Sequence, residues 1–208
     1  MRSLPLFSIF FFSFLTLKAQ HIQYGPELGI NVSGALVKVP GASAKGSPLP
    51  GFQAGVFALL PFTSPNLALG ARLLYADEGY KPDIYQTRAT IRVSFLKVPV
   101  NLIYKPAGNH AKWEFGVGPY FAYGISGHYT RNDVNGGQIK INFGNDPNRD
   151  DLKKIDMGAD LMAGYNLHDK ILIRGALDAG LVNYLAPGSV SNAHCLSLGI
   201  TVCYLLGP

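Results

Sequence analysis

Ser126 and His128 lie two residues apart and Ser191 and His194 three, so each pair sets a hydroxyl near an imidazole. Nucleophilic attack on an ester needs that couple, plus an acid to orient the histidine. In a bacterial outer leaflet the matching activity is that of a lipid-A-modifying acyl-ester hydrolase. Neither pair has an obvious buried acid to orient it within the same element, and serine and histidine beside loops are ordinary surface residues. No catalytic residue is expected.

A second set is larger. Glu27, Arg72, Lys97, Glu114, Asp156, Asp160, Arg174 and Asp178 fall, with Asn31, Gln53 and Asn101, on one parity of segments that alternate in polarity. Such a set makes either a polar path through a protein or a structural charge network that fills a narrow interior. Mixed signs favour mutual neutralisation, because unpaired buried charges are expensive. Glycines of the same parity, among them Gly116, Gly158 and Gly164, leave room for a water-filled cavity.

The remaining candidates are weaker. The acids of Gly144–Asp151 lack the alternate oxygen ligands and central glycine of a calcium loop, so this is a solvated loop. Cys195 and Cys203 are eight residues apart. Along a strand that is about 26 Å, beyond the roughly 7 Å reach of a disulfide, and the spacing suits no metal. Neither a phosphate-cradling glycine loop nor a nucleophile elbow is present. No cofactor and no metal are implied.

The elements that must position these residues are strands. Eight segments of period two run over 22–33, 51–62, 66–77, 91–105, 111–128, 155–167, 170–183 and 193–206, with no convincing helix. In the sixth, Ile155, Met157, Ala159, Leu161, Ala163 and Tyr165 alternate with small or polar residues. In the fifth, Trp113, Phe115, Val117, Pro119, Phe121, Tyr123 and Ile125 share one face.

The connections alternate as strictly as the residues do. Short links span 61–65, 105–110 and 168–169, whereas 34–50, 78–90, 129–154 and 184–192 are long and polar. Short turns on one side and long loops on the other mark an outer-membrane barrel. Tyr24, Phe62, Tyr104, Trp113, Tyr165 and Tyr204 all sit beside the short turns, where an interfacial girdle belongs. Tyr75, Phe95, Tyr129 and Tyr184 would form a looser outer girdle. The rival is a soluble eight-stranded barrel such as a lipocalin. Its exterior would be plainly charged, but here the polar parity carries only one or two charges per strand. The expected fold is all-β, an eight-stranded antiparallel up-and-down transmembrane β-barrel. Eight strands enclose little more than their own side chains, which argues against a passive transport barrel.

Composition agrees. Of 208 residues, 48% are hydrophobic and only 15% charged, against about 25% charged in an ordinary soluble domain. The first twenty residues have a basic start, an apolar core over Leu4–Leu17 and a small residue near the end, which describes a signal peptide. Leu4–Leu17 is shorter than the roughly 20 residues of a spanning helix. The domains are therefore a cleaved signal peptide at 1–20 and a barrel at 21–208. Setting aside Arg2 and Lys18 of the leader leaves 16 Lys and Arg against 13 Asp and Glu. That balance excludes a basic stripe for nucleic acid. Expected partners are outer-membrane lipid, the barrel assembly machinery during insertion, and other envelope proteins.

Three passages resemble the PorT-like outer-membrane β-barrel family of Gram-negative bacteria. They are Phe95-Leu-Lys-Val-Pro-Val-Asn-Leu-Ile-Tyr104, Phe115-Gly-Val-Gly-Pro-Tyr-Phe-Ala-Tyr123 and Asp156-Met-Gly-Ala-Asp-Leu-Met-Ala-Gly-Tyr165. The leader ending Lys18-Ala19-Gln20 is similar too, and the resemblance covers the whole mature chain. One departure is the ending Tyr204-Leu-Leu-Gly-Pro208, where many such barrels close on an aromatic residue. The resemblance implies a cell outer membrane location and, through the family's founding member, a link to protein secretion or gliding machinery. The leader, strand count, loop alternation and girdles together point to a non-enzymatic structural or interaction protein.

The His168-Asp169 link predicts a tight hairpin in which paired numbers sum to about 336. Asp160 would then oppose Ala176, with Arg174 as its diagonal partner in an ion pair.

Overall fold

Alternation of apolar with small or polar residues persists over long stretches, and each stretch becomes a strand. The computed structural model describes residues 22–39, 42–82, 89–108, 112–131, 137–144, 146, 150–185 and 192–206. The signal peptide expected at 1–20 and Ser191 lie outside them. The strands are β1 (Gln23–Val39), β2 (Ala42–Lys45), β3 (Ser47–Pro61), β4 (Leu67–Lys81) and β5 (Ala89–Tyr104), followed by β6 (Trp113–Arg131), β7 (Gln138–Lys140), β8 (Ile155–His168), β9 (Ile171–Gly180) and β10 (Asn192–Tyr204).

Eight of these are long. Each pairs antiparallel with its neighbour in the order β1-β3-β4-β5-β6-β8-β9-β10, and β10 returns to β1 over Glu27–Cys203 to Lys38–Asn192. The sheet closes into an eight-stranded up-and-down barrel, which leaves no free edge. Short β2 pairs with the end of β1, and short β7 with the end of β6.

Facing follows the alternation. Leu28, Ile30, Val56, Val117, Leu161, Leu198 and Ile200 are exposed on the outside, whereas the charged parity is buried inside. A surface of exposed aliphatics around a charged interior inverts a soluble protein and suits a lipid solvent. At the short-turn end, Tyr24, Tyr104, Trp113 and Tyr204 are exposed, and Trp113 stacks on Phe115 and meets Tyr165 edge-on.

Three expectations need correction. Residues 34–50 are not one long loop: β1 runs on to Val39 and the chain returns through β2 into β3. Of the looser outer girdle, only Tyr75 stays exposed. Phe95 and Tyr184 are buried, and Tyr129 packs beside them, because all three face the interior at the long-loop end. The third is the β8–β9 register. His168 pairs with Ile171, so the turn is Asp169-Lys170, and the register then shifts between His168 and Asn166. A two-residue turn at that place alone would set odd number sums and bring the wrong faces together. The extra residue, Leu167, is a bulge that restores even sums of 338. Asp160 therefore opposes Asp178, not Ala176.

Candidate functional site

The interior is a layered stack. At the short-turn end Phe57, Leu59, Ala68, Ile103, Met162, Leu172 and Cys203 form one buried apolar cluster. At the long-loop end Tyr80, Val93, Phe95, Tyr120, Ile141, Leu152 and Tyr184 form another. The second cluster draws in residues from the connections: Leu152 bridges to both Phe143 and Leu185. A Cβ at Gly124 or Gly127 would meet the Phe143 ring at 2.8 or 3.0 Å, so bare backbone at those positions admits this lid. Burial pushes the Tyr184 phenol well above its ordinary pKa, which keeps it neutral within the lid.

Charged residues are interleaved with these clusters and lie between them. Glu27, Arg72, Lys97, Glu114, Asp156, Asp160, Arg174 and Asp178 are all buried there, as are Asn31, Gln53 and Asn101. Arg174 does not meet Asp160. Its Nε and Nη2 donate to one oxygen of Glu114 at 3.1 and 2.9 Å, and its Nη1 lies 3.4 Å from Glu27. Asp160 instead accepts from Arg72 Nη2 at 2.8 Å and from the Asn101 amide. Lys97 donates to Asp178 at 2.8 Å and to Glu78 at 2.5 Å. The Tyr120 hydroxyl donates to Asp156 at 2.8 Å, and Lys97 sits 5.1 Å from the centre of the same ring.

Among the described residues the buried acids are six and the buried bases three, so the signs are mixed but not balanced. Five acids touch a cation, and Asp156 has the tyrosine instead. Glu78 escapes a reading of the sequence that ends the third segment, here β4, at residue 77. It lies on the same parity as Arg72, one residue beyond that boundary.

The space beside the inward glycines is filled. Met162 packs against Gly116, Tyr120 against Gly158 and the Glu114 side chain against Gly164. The cavity lined by Ser33, Glu78, Tyr80 and Cys195 measures about 10 Å³, at the lower bound for one water molecule. Among the described residues, side chains rather than open space lie beside these glycines.

The hydroxyl–imidazole candidates sit elsewhere. A bulge in β6 at Ile125 turns Ser126 and His128 to the outer face, with buried Gly127 between them. Asp77 stands in the same outward row, opposite Ser94, which in turn faces Ser126. Its carboxylate takes its hydrogen bond from Arg92 at 2.9 Å, not from His128. His194 is half-buried opposite Leu36 on β1. Both cysteines are free, with Cys203 buried against Thr201 and Glu27. In the acidic loop the Asp150 carboxylate accepts from the Asp146 backbone amide at 2.8 Å.

A family model described as outer membrane protein beta-barrel domain matches residues 18–186. No curated protein matches the sequence. The fold is similar to Ail, the attachment invasion locus protein of Yersinia pestis, at 8% identity and a TM-score of 0.46, covering 90% of this chain and 100% of that one. It is similar to Neisserial surface protein A at 13% identity and a TM-score of 0.48, covering 86% and 97%. It is similar, at 12% identity and a TM-score of 0.33, to the outer membrane protease OmpT of Escherichia coli, covering 89% and 94%.

Proposed function

Because the chain belongs to the outer membrane protein beta-barrel domain family, we propose that it is a non-enzymatic barrel of the Gram-negative envelope. It works by what its rim and loops present, as a structural or interaction protein. One observation carries this reading: two apolar clusters, and ion pairs interleaved with them, fill the lumen. A lumen packed in this way leaves the outer surface and the loops as the working parts. The nine buried charged residues, Glu78 included, are then structural, holding the strands together from within.

The finer placement, as a PorT-like member, is supported by the Val98-Pro99-Val100-Asn101, Gly118-Pro119-Tyr120 and Gly164-Tyr165 motifs. It would tie the barrel to secretion or gliding machinery, with the barrel assembly machinery serving insertion.

Crosslinking in intact cells, followed by identification of the attached proteins, tests the interaction role. Capture of envelope components supports it. The barrel itself is checked by outer-membrane fractionation and a heat-dependent shift in mobility. Native recovery as a soluble periplasmic protein would defeat the proposal. So would single-channel conductance well above background, or lipid A deacylation lost in Ser126→Ala and His128→Ala variants.

A further inference from the structure

The strand register lines up residues on the outer wall in rows. Tyr75, Leu96, Tyr123 and Ile155 stand side by side on β4, β5, β6 and β8, all exposed. The next row of that parity toward the long loops is Asp77, Ser94 and Ser126, with Asp77 and Ser126 half-buried and Ser94 buried. Beyond it come Gly79, Arg92, His128 and Lys140 on β4, β5, β6 and β7. Lys81 follows at the end of β4, and Lys154 precedes Ile155, its Nζ 5.9 Å from the Tyr123 ring. Over one two-residue step, about 7 Å along the strands, the wall changes from aromatic and aliphatic to mainly polar and basic, with exposed Ile125 at the β6 bulge still among them.

That step is where the hydrocarbon ends. Tyrosines favour the interface, and the strands that carry the polar rows rise beyond it. Among the described residues of these rows, Lys81, Arg92, Lys140 and Lys154 face one carboxylate, Asp77. Asp77 Oδ2 and the Pro50 carbonyl hold Arg92 Nη1 at 2.9 and 3.3 Å, with the arginine side chain still 43% exposed.

We propose that this shelf binds the phosphate-bearing headgroup of an outer-leaflet lipid; the inference rests on the outer-membrane reading above. Basic side chains just above a bilayer attract anionic headgroups, and a guanidinium fork matches phosphate geometry. The apolar band directly beneath selects a lipid over a soluble anion, because acyl chains continue down it while the headgroup meets the cations. His128, between Arg92 and Lys140, adds a ring nitrogen donor to the row.

The test uses the folded full chain in phosphatidylcholine vesicles doped with bis-phosphorylated lipid A or with its dephosphorylated form. Retained lipid is counted by native mass spectrometry after mild detergent extraction. At least tenfold preference for the phosphorylated form is expected, lost in the Lys81→Gln/Arg92→Gln/Lys140→Gln variant. Lys112→Gln/Lys170→Gln, at the opposite rim, should keep it, and millimolar inorganic phosphate should not displace the lipid. Heat-dependent mobility reports folding of the triple variant. Should that variant not fold, Lys140→Gln alone, on the short exposed β7, is expected to lose at least threefold. Equal retention of both lipids, unchanged retention in the variants, or displacement by inorganic phosphate would overturn the shelf while leaving the barrel reading intact. Failure of the wild-type chain to insert into vesicles at all would overturn both.

Discussion

Asp160 on β8 and Asp178 on β9 face each other directly, two buried carboxyls where a register two residues away would pair a carboxyl with an alanine. Each is held by a different cation reaching from across the barrel: Arg72 for Asp160 and Lys97 for Asp178. Asp178→Asn turns this like-charged contact into a donor–acceptor one, and Lys97 keeps Glu78. The variant is expected to unfold in urea within about 1 kcal/mol of the wild type, since neutralising one of two facing acids removes a penalty as well as an ion pair. A loss of several kcal/mol would show that the Lys97 contact outweighs the repulsion.

Arg174 serves Glu114 and Glu27 together. Arg174→Met leaves both carboxylates buried without their cation and should cost about 3–5 kcal/mol. Adding Glu114→Gln and Glu27→Gln should return most of that loss. Equilibrium unfolding in detergent or vesicles measures both. A triple variant as unstable as the single one would mean that Arg174 matters by packing, through its contact with the Phe57 ring.

The bulge at Leu167 sets which face of β9 points inward. Deleting Leu167 should abolish the heat-shifted folded band, because Arg174 and Asp178 would be driven toward lipid. Deleting it while inserting one glycine between Asp169 and Lys170 keeps five residues between Asn166 and Leu172. That double change should restore the folded band, and its failure would assign Leu167 a role beyond register.

On β10, Leu198 is 58% exposed and Ser197 only 3%. Leu198→Arg places a charge in hydrocarbon at a cost of roughly 2–4 kcal/mol, and thicker bilayers should make it worse. Ser197→Arg meets crowding inside the barrel instead, so its cost should not follow bilayer thickness. Parallel worsening of the two variants would contradict the facing seen here.

Much of the site was legible residue by residue. Parity along a strand is a local property, so Glu27, Lys97 and Asp156 are assigned an inward face by their neighbours in sequence alone. Glu78 was missed for an equally local reason. The fourth strand keeps its period past residue 77, into a stretch whose polarity reads as loop. Phe95 shows the converse error. Its aromatic character suggested the interface, although it shares parity with Lys97 and lies inside.

Partners could not be read in this way. Arg72 and Asp160 are 88 residues apart, Arg174 and Glu114 sixty. Their meeting depends on accumulated register across several strand pairs, including bulges such as Leu167 and Ile125 that leave no clear mark in composition. The sequence by itself determined that strands form, how many close the barrel, and which face of each meets lipid, because a two-residue period and loop lengths are written along the chain. Only the tertiary structure decided which charge neutralises which, and that apolar clusters shut both ends. Those outcomes depend on the sum of registers around a closed sheet, where one inserted residue reverses every face beyond it.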